Sequence, residues 1–362
     1  MDIENRINDS ISPVPDYRLN INENTSVIVL TVEEGSNKPY FYKSKAYKRN
    51  DSATIEVDRL ELTRLILEGE NVSFEELKAK EQDLKFTSLE NKICKELNIN
   101  EISLDILKTL ELYNEKKGYN NAAALLADGN QFPGIDVIRF GKSINIILER
   151  ETFINESVLS QYDKIIEMFC KNYQYEEIKG AMRVKKELIP KEAFRETIAN
   201  ALAHRTWDVK SNINVVMYDN RIEITSPGGL PKGISKEEYL NGGISIPRNY
   251  ILCNVFLRLH MIERFGTGIK RINEFYKDNA IKPQYVITEN MIKICLPIIE
   301  KNTLEGDESV IFNLLETKSM SSSAIVKKTG LKKSKVKSIL NNLVNQGYIE
   351  KTGNGRGTKY QR

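Results

Sequence analysis

Two short stretches carry side chains and backbone that could do chemistry together. In EAFRETIANALAHR (Glu192 to Arg205), Glu196 and Asn200 stand four residues apart in a segment that reads as a helix. Residues at that spacing share a helix face, so a carboxylate and a carboxamide point the same way. In IERFGTGIKRI (Ile262 to Ile272), Gly266, Thr267 and Gly268 form a turn that opens a second helix. Such a turn offers free backbone N–H groups and the positive end of a helix dipole, which suit a phosphate. Mg²⁺ takes few protein oxygens and keeps phosphates and waters as its remaining ligands. A carboxylate one turn away can act as general base on a water. Asparagine is a poor choice inside a helix, so Asn200 wants a reason. The competing reading of Glu196 and Asn200 is a solvated polar stripe opposite Phe194, Ile198 and Leu202, and a two-glycine turn alone is common.

A different chemistry sits at the other end. ESVIFNLLET, SSSAIVKKTG and KKSKVKSILNNLVNQ read as three helices, followed by the glycine-tipped hairpin GYIEKTGNGRGTKYQ. Three helices and a β-wing make a winged helix-turn-helix, whose third helix enters the major groove of double-stranded DNA. Ser322 or Ser323 can cap the second helix and Gly330 makes the turn. Lys332, Lys333, Lys335 and Lys337 lie on or just before the third helix, and Arg356 and Lys359 lie on the wing. Lysines suit phosphate positioning more than base readout. From residue 306 onward, eleven Lys and Arg stand against Asp307, Glu308, Glu316 and Glu350, a local net of about +7 inside a global net charge of +3. A winged helix used for protein contacts is the alternative.

The elements that hold these residues follow from periodicity. The chain has 362 residues, 40% hydrophobic and 28% charged, enough for about two to three packed domains. Cys94, Cys170, Cys253 and Cys295 lie far apart without a C-x-x-C, which argues against a zinc finger or disulfide framework and fits a reducing cytoplasm. His204 and His260 are the two histidines, so a His-rich metal site is excluded. No apolar run reaches the ~20 residues that span a bilayer. The expected layout is residues 1–68, a helical connector over 69–118, a large α/β unit over 119–302, and the winged helix over 303–362. Val27 to Leu30 reads as a buried strand. SFEELKAKEQDLKF reads as a helix with a Ser73/Glu76 capping box. SQYDKIIEMFCKNYQYEEI reads as one amphipathic helix. Lys43, Lys45, Lys48 and Arg49 interleave with Tyr40, Phe41, Tyr42 and Tyr47, a pattern that suits either nucleic-acid contact or a strand edge with a solvated lysine face.

Four motifs, in order and spacing, resemble a bacterial and archaeal family of transcriptional regulators. That family joins a Schlafen-type AlbA domain to a RecG-like ATP-binding region, itself a divergent relative of the gyrase, Hsp90, histidine-kinase and MutL superfamily. The motifs here are RETIANALAHRTW, IEITSPGGLP, IPRNY and IERFGTGIKRI, and the resemblance covers about residues 10 to 300. It implies an α+β multidomain chain with a partial AlbA-like piece and a central Bergerat-type α/β sandwich. It also implies that Glu196 polarises an attacking water and that Asn200 ligates the Mg²⁺ that bridges the phosphates of ATP. Ser226 stands where the superfamily has an aspartate for the adenine amino group. Gly228 and Gly229 permit close backbone approach, Gly266, Thr267 and Gly268 would cradle phosphates beside Lys270 or Arg271, and Arg248 with Asn249 would form part of a lid. His204 and Arg205 are expected to stabilise the fold. The first half of the AlbA pattern is missing, so a partner would supply it or truncation has removed it. No G-x-x-x-x-G-K-[ST] occurs, so no helicase motor is expected.

The expected function is a cytoplasmic DNA-binding transcriptional regulator, able to form a homodimer, with a nucleotide-binding domain that hydrolyses ATP slowly if at all. The alternatives are an ATPase of a defence or mobile-element system localised by its winged helix, and a nucleotide-free scaffold.

Overall fold

The computed structural model describes every residue except 1, 23, 25–26, 180–181, 232, 244–245, 264–265, 278, 300–305, 316–318, 346–347, 354 and 362, and the side chains of Lys179 and Arg356 also lie outside the described set. The chain forms two compact units, Met1–Asp83 with Leu104–Ala124, and Leu84–Ser103 with Leu125–Arg362.

In the first unit, α1 (Asp2–Ser10) leads into β1 (Ile11–Ser12), which joins β4 (Phe41–Tyr42), β5 (Lys45–Asn50) and β6 (Ala53–Glu56) in a sheet of order β1-β4-β5-β6. Helix α2 (Arg59–Gly69) follows, capped by the Asp58 carboxylate, which accepts the Glu61 N–H at 2.8 Å. Two lysines of the basic segment are neutralised locally, where Lys45 meets Glu56 at 2.7 Å and Lys48 meets Glu61 at 2.6 Å, while Lys43 lies over the Tyr42 ring. That arrangement matches the strand-edge reading better than nucleic-acid contact.

Among the described residues, strands β2 (Tyr17–Asn22) and β3 (Val27–Val32) pair only with each other. The buried strand expected at Val27 to Leu30 is instead exposed, with Ile28 at 52% and Leu30 at 44%. The register places Tyr17, Leu19, Ile21, Ile28, Leu30 and Val32 on one face and Arg18, Asn20, Asn22, Val27, Val29 and Thr31 on the other. The hairpin is therefore amphipathic, and no layer buries its apolar face among the described residues.

The helix expected over SFEELKAKEQDLKF is a single 3₁₀ turn, Phe74–Glu76, closed by the anticipated capping box. The chain beyond it is drawn into pairing: Ala79 N–H donates to the Tyr119 carbonyl at 2.9 Å, and Gln82 exchanges hydrogen bonds with Tyr119. Helix α4 (Leu104–Thr109), the short strands β7 (Tyr113–Asn114) and β8 (Gly118–Tyr119), and helix α5 (Asn121–Leu126) follow.

The second unit is built on a mixed sheet of β9 (Ile135–Phe140), β10 (Ile147–Phe153), β13 (Ile213–Met217), β14 (Arg221–Pro227), β15 (Gln284–Ile287) and β16 (Met291–Pro297). Its order is β10-β9-β13-β14-β16-β15, antiparallel except for the β9–β13 pair. Alternation puts Ile135, Val137, Ile213, Val215, Ile222, Ile224, Ile294 and Leu296 on the buried face. The opposite face is polar, with Glu223 held by Arg221 and Lys293 at 2.8 Å each. One layer of helices covers the apolar face, as a sheet with one solvated side requires. Helix α7 (Lys191–His204) packs on β14 and β16, with α6 (Val158–Tyr173), α9 (Tyr250–Arg258) and α10 (Gly268–Phe275) against α7, α3 (Thr87–Leu97) against α6 and the short α8 (Lys236–Asn241) beside α10. Helix α6 stops at Tyr173, earlier than its amphipathic pattern suggests. Gln174 enters the hairpin of β11 (Gln174–Lys179) and β12 (Met182–Glu187). Cross-strand pairs replace helical ones from that point.

At the C-terminal end, α11 (Asp307–Leu314), α12 (Ser322–Thr329), α13 (Lys333–Asn345) and the β17 (Glu350–Thr352) and β18 (Lys359–Gln361) hairpin share a core of Ile311, Phe312, Ile325, Val336, Leu340, Leu343 and Tyr360. The cap of α12 is Ser321, not Ser322 or Ser323. Gly330 closes that helix in the left-handed region at φ 69°, as its position suggests.

Candidate functional site

Helix α7 begins just after Pro190, whose fixed φ suits a helix start, and runs through an alanine-rich sequence. Phe194 stacks on Phe169 of α6 with ring centroids 4.3 Å apart, and Ile198 and Leu202 are fully buried. This apolar face fixes the rotation of α7. The opposite face, Glu196, Thr197, Asn200, Ala201 and His204, lines a cavity of about 500 Å³. The polar stripe is thus not solvated: Glu196 is only 8% exposed.

Inside the cavity, Asn200 Nδ2 donates to Glu196 Oε1 at 3.0 Å. Burial pushes the Glu196 carboxyl above its ordinary pKa, while the Asn200 hydrogen bond and the Arg271 guanidinium pull it back. Arg271 lies 3.9 Å from Glu196 and is ion-paired with Glu263. Gly268 starts α10 directly against this pair. A Cβ there would meet Glu196 Oε1 and lie 2.8 Å from Asn200 Nδ2, so glycine lets the helix start approach without displacing the ends of these two side chains. Gly266 sits in the left-handed region at φ 59°, and Thr267 is the N-cap residue without a side-chain capping bond.

Ser226 comes from the buried face of β14, and its Oγ donates to the Ala201 carbonyl of α7 at 3.1 Å. Gly228, at φ 101°, and Gly229 follow at the cavity wall, and a Cβ on Gly229 would come within 2.5 Å of the Glu289 carbonyl. The structure therefore brings Glu196, Asn200, Ser226, Gly228, Gly229, Gly266 and Gly268 to one cavity.

Arg248 and Asn249 take a different place from the one expected. Arg248 donates to the Gly229 carbonyl at 2.8 Å and to the Thr206 hydroxyl, which ties the 228–229 turn to the end of α7. Asn249 Nδ2 donates to the Ala203 and Arg205 carbonyls at 2.8 and 2.9 Å and so caps the C-terminus of α7. These are clamps on the wall. The rest of the cavity is covered by apolar side chains that sequence reading does not single out, among them Leu230, Ile234, Tyr239, Ile246 and Tyr250. Arg205 stabilises the fold as expected: it is fully buried, donates to the Ser211 carbonyl at 2.5 Å and packs on Trp207 at 4.3 Å. Burial without a carboxylate partner lowers its pKa to about 10. His204 differs from the expectation, because it faces the cavity. Its four-residue spacing from Asn200 was the available signal.

On α13, Val336, Ile339, Leu340 and Leu343 face inward, and Lys333, Lys335 and Lys337 are exposed, as are Lys332 just before the helix and Lys359 on β18. Lys335 is not free: its ammonium pairs with the Asp307 carboxylate at the start of α11. The Arg356 side chain lies outside the described residues. Among the described residues no cluster of three or more His, Cys, Asp or Glu could hold a metal, and no helix is long and apolar enough to cross a membrane.

Comparison with known proteins agrees with both ends. Residues 210–296 match the family model described as putative ATP-dependent DNA helicase recG C-terminal, and residues 312–353 match that of the IclR helix-turn-helix domain. The first match begins beyond α7, so Glu196 and Asn200 stand outside it, while Ser226 and both glycine turns stand inside. No curated protein matches the chain. The crystal structure of the DIP2311 protein from Corynebacterium diphtheriae is similar at 16% identity and a TM-score of 0.54, over 99% of this chain and 82% of that one. That likeness concerns the fold. The chain is a mixed α/β protein with a RecG C-terminal-like, ATPase-type region and an IclR-type helix-turn-helix, a combination that points to a DNA-binding regulator.

Proposed function

We propose that this chain is a transcriptional regulator that binds double-stranded DNA through its C-terminal winged helix and binds Mg-ATP in the cavity under α7. In this reading the six-stranded sheet and its helices are a divergent Bergerat-type sandwich, and the first unit is an AlbA-like piece. The observation that carries it is the convergence of Glu196, Asn200, Ser226 and two glycine turns, distant in sequence, on one cavity. Pockets of 300–1,000 Å³ suit small ligands, and this one lies in that range.

The residues present fit the ligand. Asn200 commits its Nδ2 to Glu196, and its Oδ1 accepts no hydrogen bond among the described residues, which leaves an oxygen for Mg²⁺. Gly268 keeps Cβ bulk away from the start of α10, where backbone N–H groups favour phosphate. When bound, Mg-ATP would supply the activated phosphoanhydride. Glu196, made more basic by burial and kept ionised by Asn200 and Arg271, would hold and deprotonate a water, and Arg271 would offset nearby negative charge. This carboxylate favours slow hydrolysis as a second reading. Lys332, Lys333, Lys337 and Lys359 would meet DNA phosphates, and a homodimer would match a two-fold operator.

Calorimetry with Mg-ATP tests the site. The wild type binds and Asn200→Ala loses binding at least tenfold. No heat at millimolar Mg-ATP would remove the nucleotide from this account.

A further inference from the structure

Helix α13 carries its charge unevenly. Val336, Ile339, Leu340 and Leu343 are buried and fix its inward face. Ser334, Ser338 and Asn341 recur at helical spacing on the opposite face and are exposed. At about 100° of turn per residue, Lys333 and Lys337 fall on one flank of this outward stripe, and Lys335 and Asn342 fall on the other. Among the described residues, Lys333 and Lys337 form no ion pair. The other flank is occupied from within the chain. Lys335 pairs with the Asp307 carboxylate, and Asn342 Nδ2 donates to Glu308 Oε1 at 3.4 Å. Two consecutive acids in the first turn of α11 thus hold two side chains seven residues apart on α13.

A helix seated in a major groove has a phosphate backbone on each side of it. Lys333 and Lys337 meet one backbone with their charges free. On the other side stands a lysine and a carboxylate that are neutral as a unit, so together they displace no net counterion from DNA. If Lys335 swings towards a phosphate, the Asp307 carboxylate left behind repels that same phosphate. Asp307 has a separate reason to stay. The N-cap of α11 is Gly306, which has no side chain to cap the helix start, so Asp307 and Glu308 offset the positive end of its dipole whether or not Lys335 is near. Exposed ion pairs are individually weak, so such a contact tempers DNA affinity and does not abolish it.

We propose that Asp307 is an autoinhibitory contact. It stands in for a DNA phosphate at Lys335 and leaves the α11 side of the recognition helix without net charge. The inference rests on the DNA-binding reading of this domain and is independent of the nucleotide reading of the cavity. Because the contact acts on phosphate binding, it lowers affinity for duplexes of any sequence and leaves base contacts a larger share of the binding.

The test is fluorescence anisotropy of the full chain with a labelled duplex of mixed sequence across a salt series. The variants are Asp307→Asn, Lys335→Ala, the two combined, and Lys337→Ala. Asp307→Asn keeps the shape of the side chain and removes its charge. It should tighten binding about three- to tenfold at ~0.1 M salt and steepen the salt slope by about one. With Lys335→Ala also present, most of that gain should vanish. Lys335→Ala alone should change the slope less than half as much as Lys337→Ala. Thermal melts report whether each variant folds, and the comparison of Lys335→Ala with Lys337→Ala decides the matter even if Asp307→Asn does not fold. A folded Asp307→Asn with the wild-type affinity and slope would overturn the proposal. So would a gain that persists in full without Lys335, which would mark a general loss of negative charge, and so would equal slope changes for Lys335→Ala and Lys337→Ala. Failure of the wild type and every variant to bind the duplex would overturn the DNA-binding reading itself.

Discussion

Glu196 is buried, and its carboxylate accepts a hydrogen bond from Asn200. Glu196→Gln preserves shape and removes the base, so we expect Mg-ATP binding within about threefold of wild type and hydrolysis reduced ~100-fold or more. A phosphate-release assay paired with calorimetry separates the two effects. His204 carries a second expectation at this scale. Its folded pKa of about 4 lies below the ordinary 6.5. Above about pH 6.5 the ring is neutral in both states and contributes no pH dependence. Between about pH 6.5 and 4 only the unfolded chain gains the proton, so stability falls as pH drops through that window. Urea midpoints at about pH 5 and pH 7.5 should differ in that direction, and His204→Gln should flatten the difference. The Glu196/Asn200 pair is legible from type and spacing alone. The true posts of Arg248 and Asn249 are not, because their partners, Gly229, Thr206, Ala203 and Arg205, approach only in the folded chain.

At the scale of elements, α7 is held by packing on one side and opens chemistry on the other. Phe194→Ala removes the stack on Phe169 and should cost about 3–5 kcal/mol, read as a shift in denaturant midpoint. Gly268→Ala tests the approach of α10 to α7. The added Cβ meets the Glu196 carboxylate and the Asn200 amide, so either this pair or the helix start must shift. We expect a loss of about 1–3 kcal/mol in stability, read from denaturant midpoints, and weaker Mg-ATP binding than in the wild type, read by calorimetry. On α13, Lys333 and Lys337 stand one turn apart on the exposed face. Alanine at either should lower the salt slope of DNA binding by about one. Lys335→Ala should lower it less, because Asp307 already neutralises that ammonium. Fluorescence anisotropy across a salt series distinguishes these variants.

For the whole molecule, the distribution of charge matters more than its sum. A net of +3 conceals a basic winged helix and a mildly acidic remainder. The winged-helix core also includes Ala280, which follows α10 in the chain, with Ile281 packed against it. The same short stretch therefore connects the start of α10 at Glu196 and Asn200 to the DNA-binding domain. If nucleotide shifts this connection, Mg-ATP and DNA must change each other's affinity by one common factor, typically 5–150-fold. Measuring both factors is a strict check, since unequal values would exclude simple linkage. The first unit contributes the amphipathic β2–β3 hairpin, on whose apolar face Ile21, Ile28, Leu30 and Val32 stay exposed among the described residues.

The sequence by itself determined the local features: where α7 and α10 begin, which residues share the α7 face, and the basic winged helix. Each depends on residues within a turn or two of one another, so periodicity, capping and turn chemistry suffice. Tertiary structure decided the rest. It stopped SFEELKAKEQDLKF from being a helix by pairing Ala79 with Tyr119, and it left β3 exposed because only β2 joins it. It also turned His204 into the cavity and Arg248 onto the wall. These outcomes depend on partners tens of residues away, and a long-range hydrogen bond or a missing layer leaves no local mark in the chain.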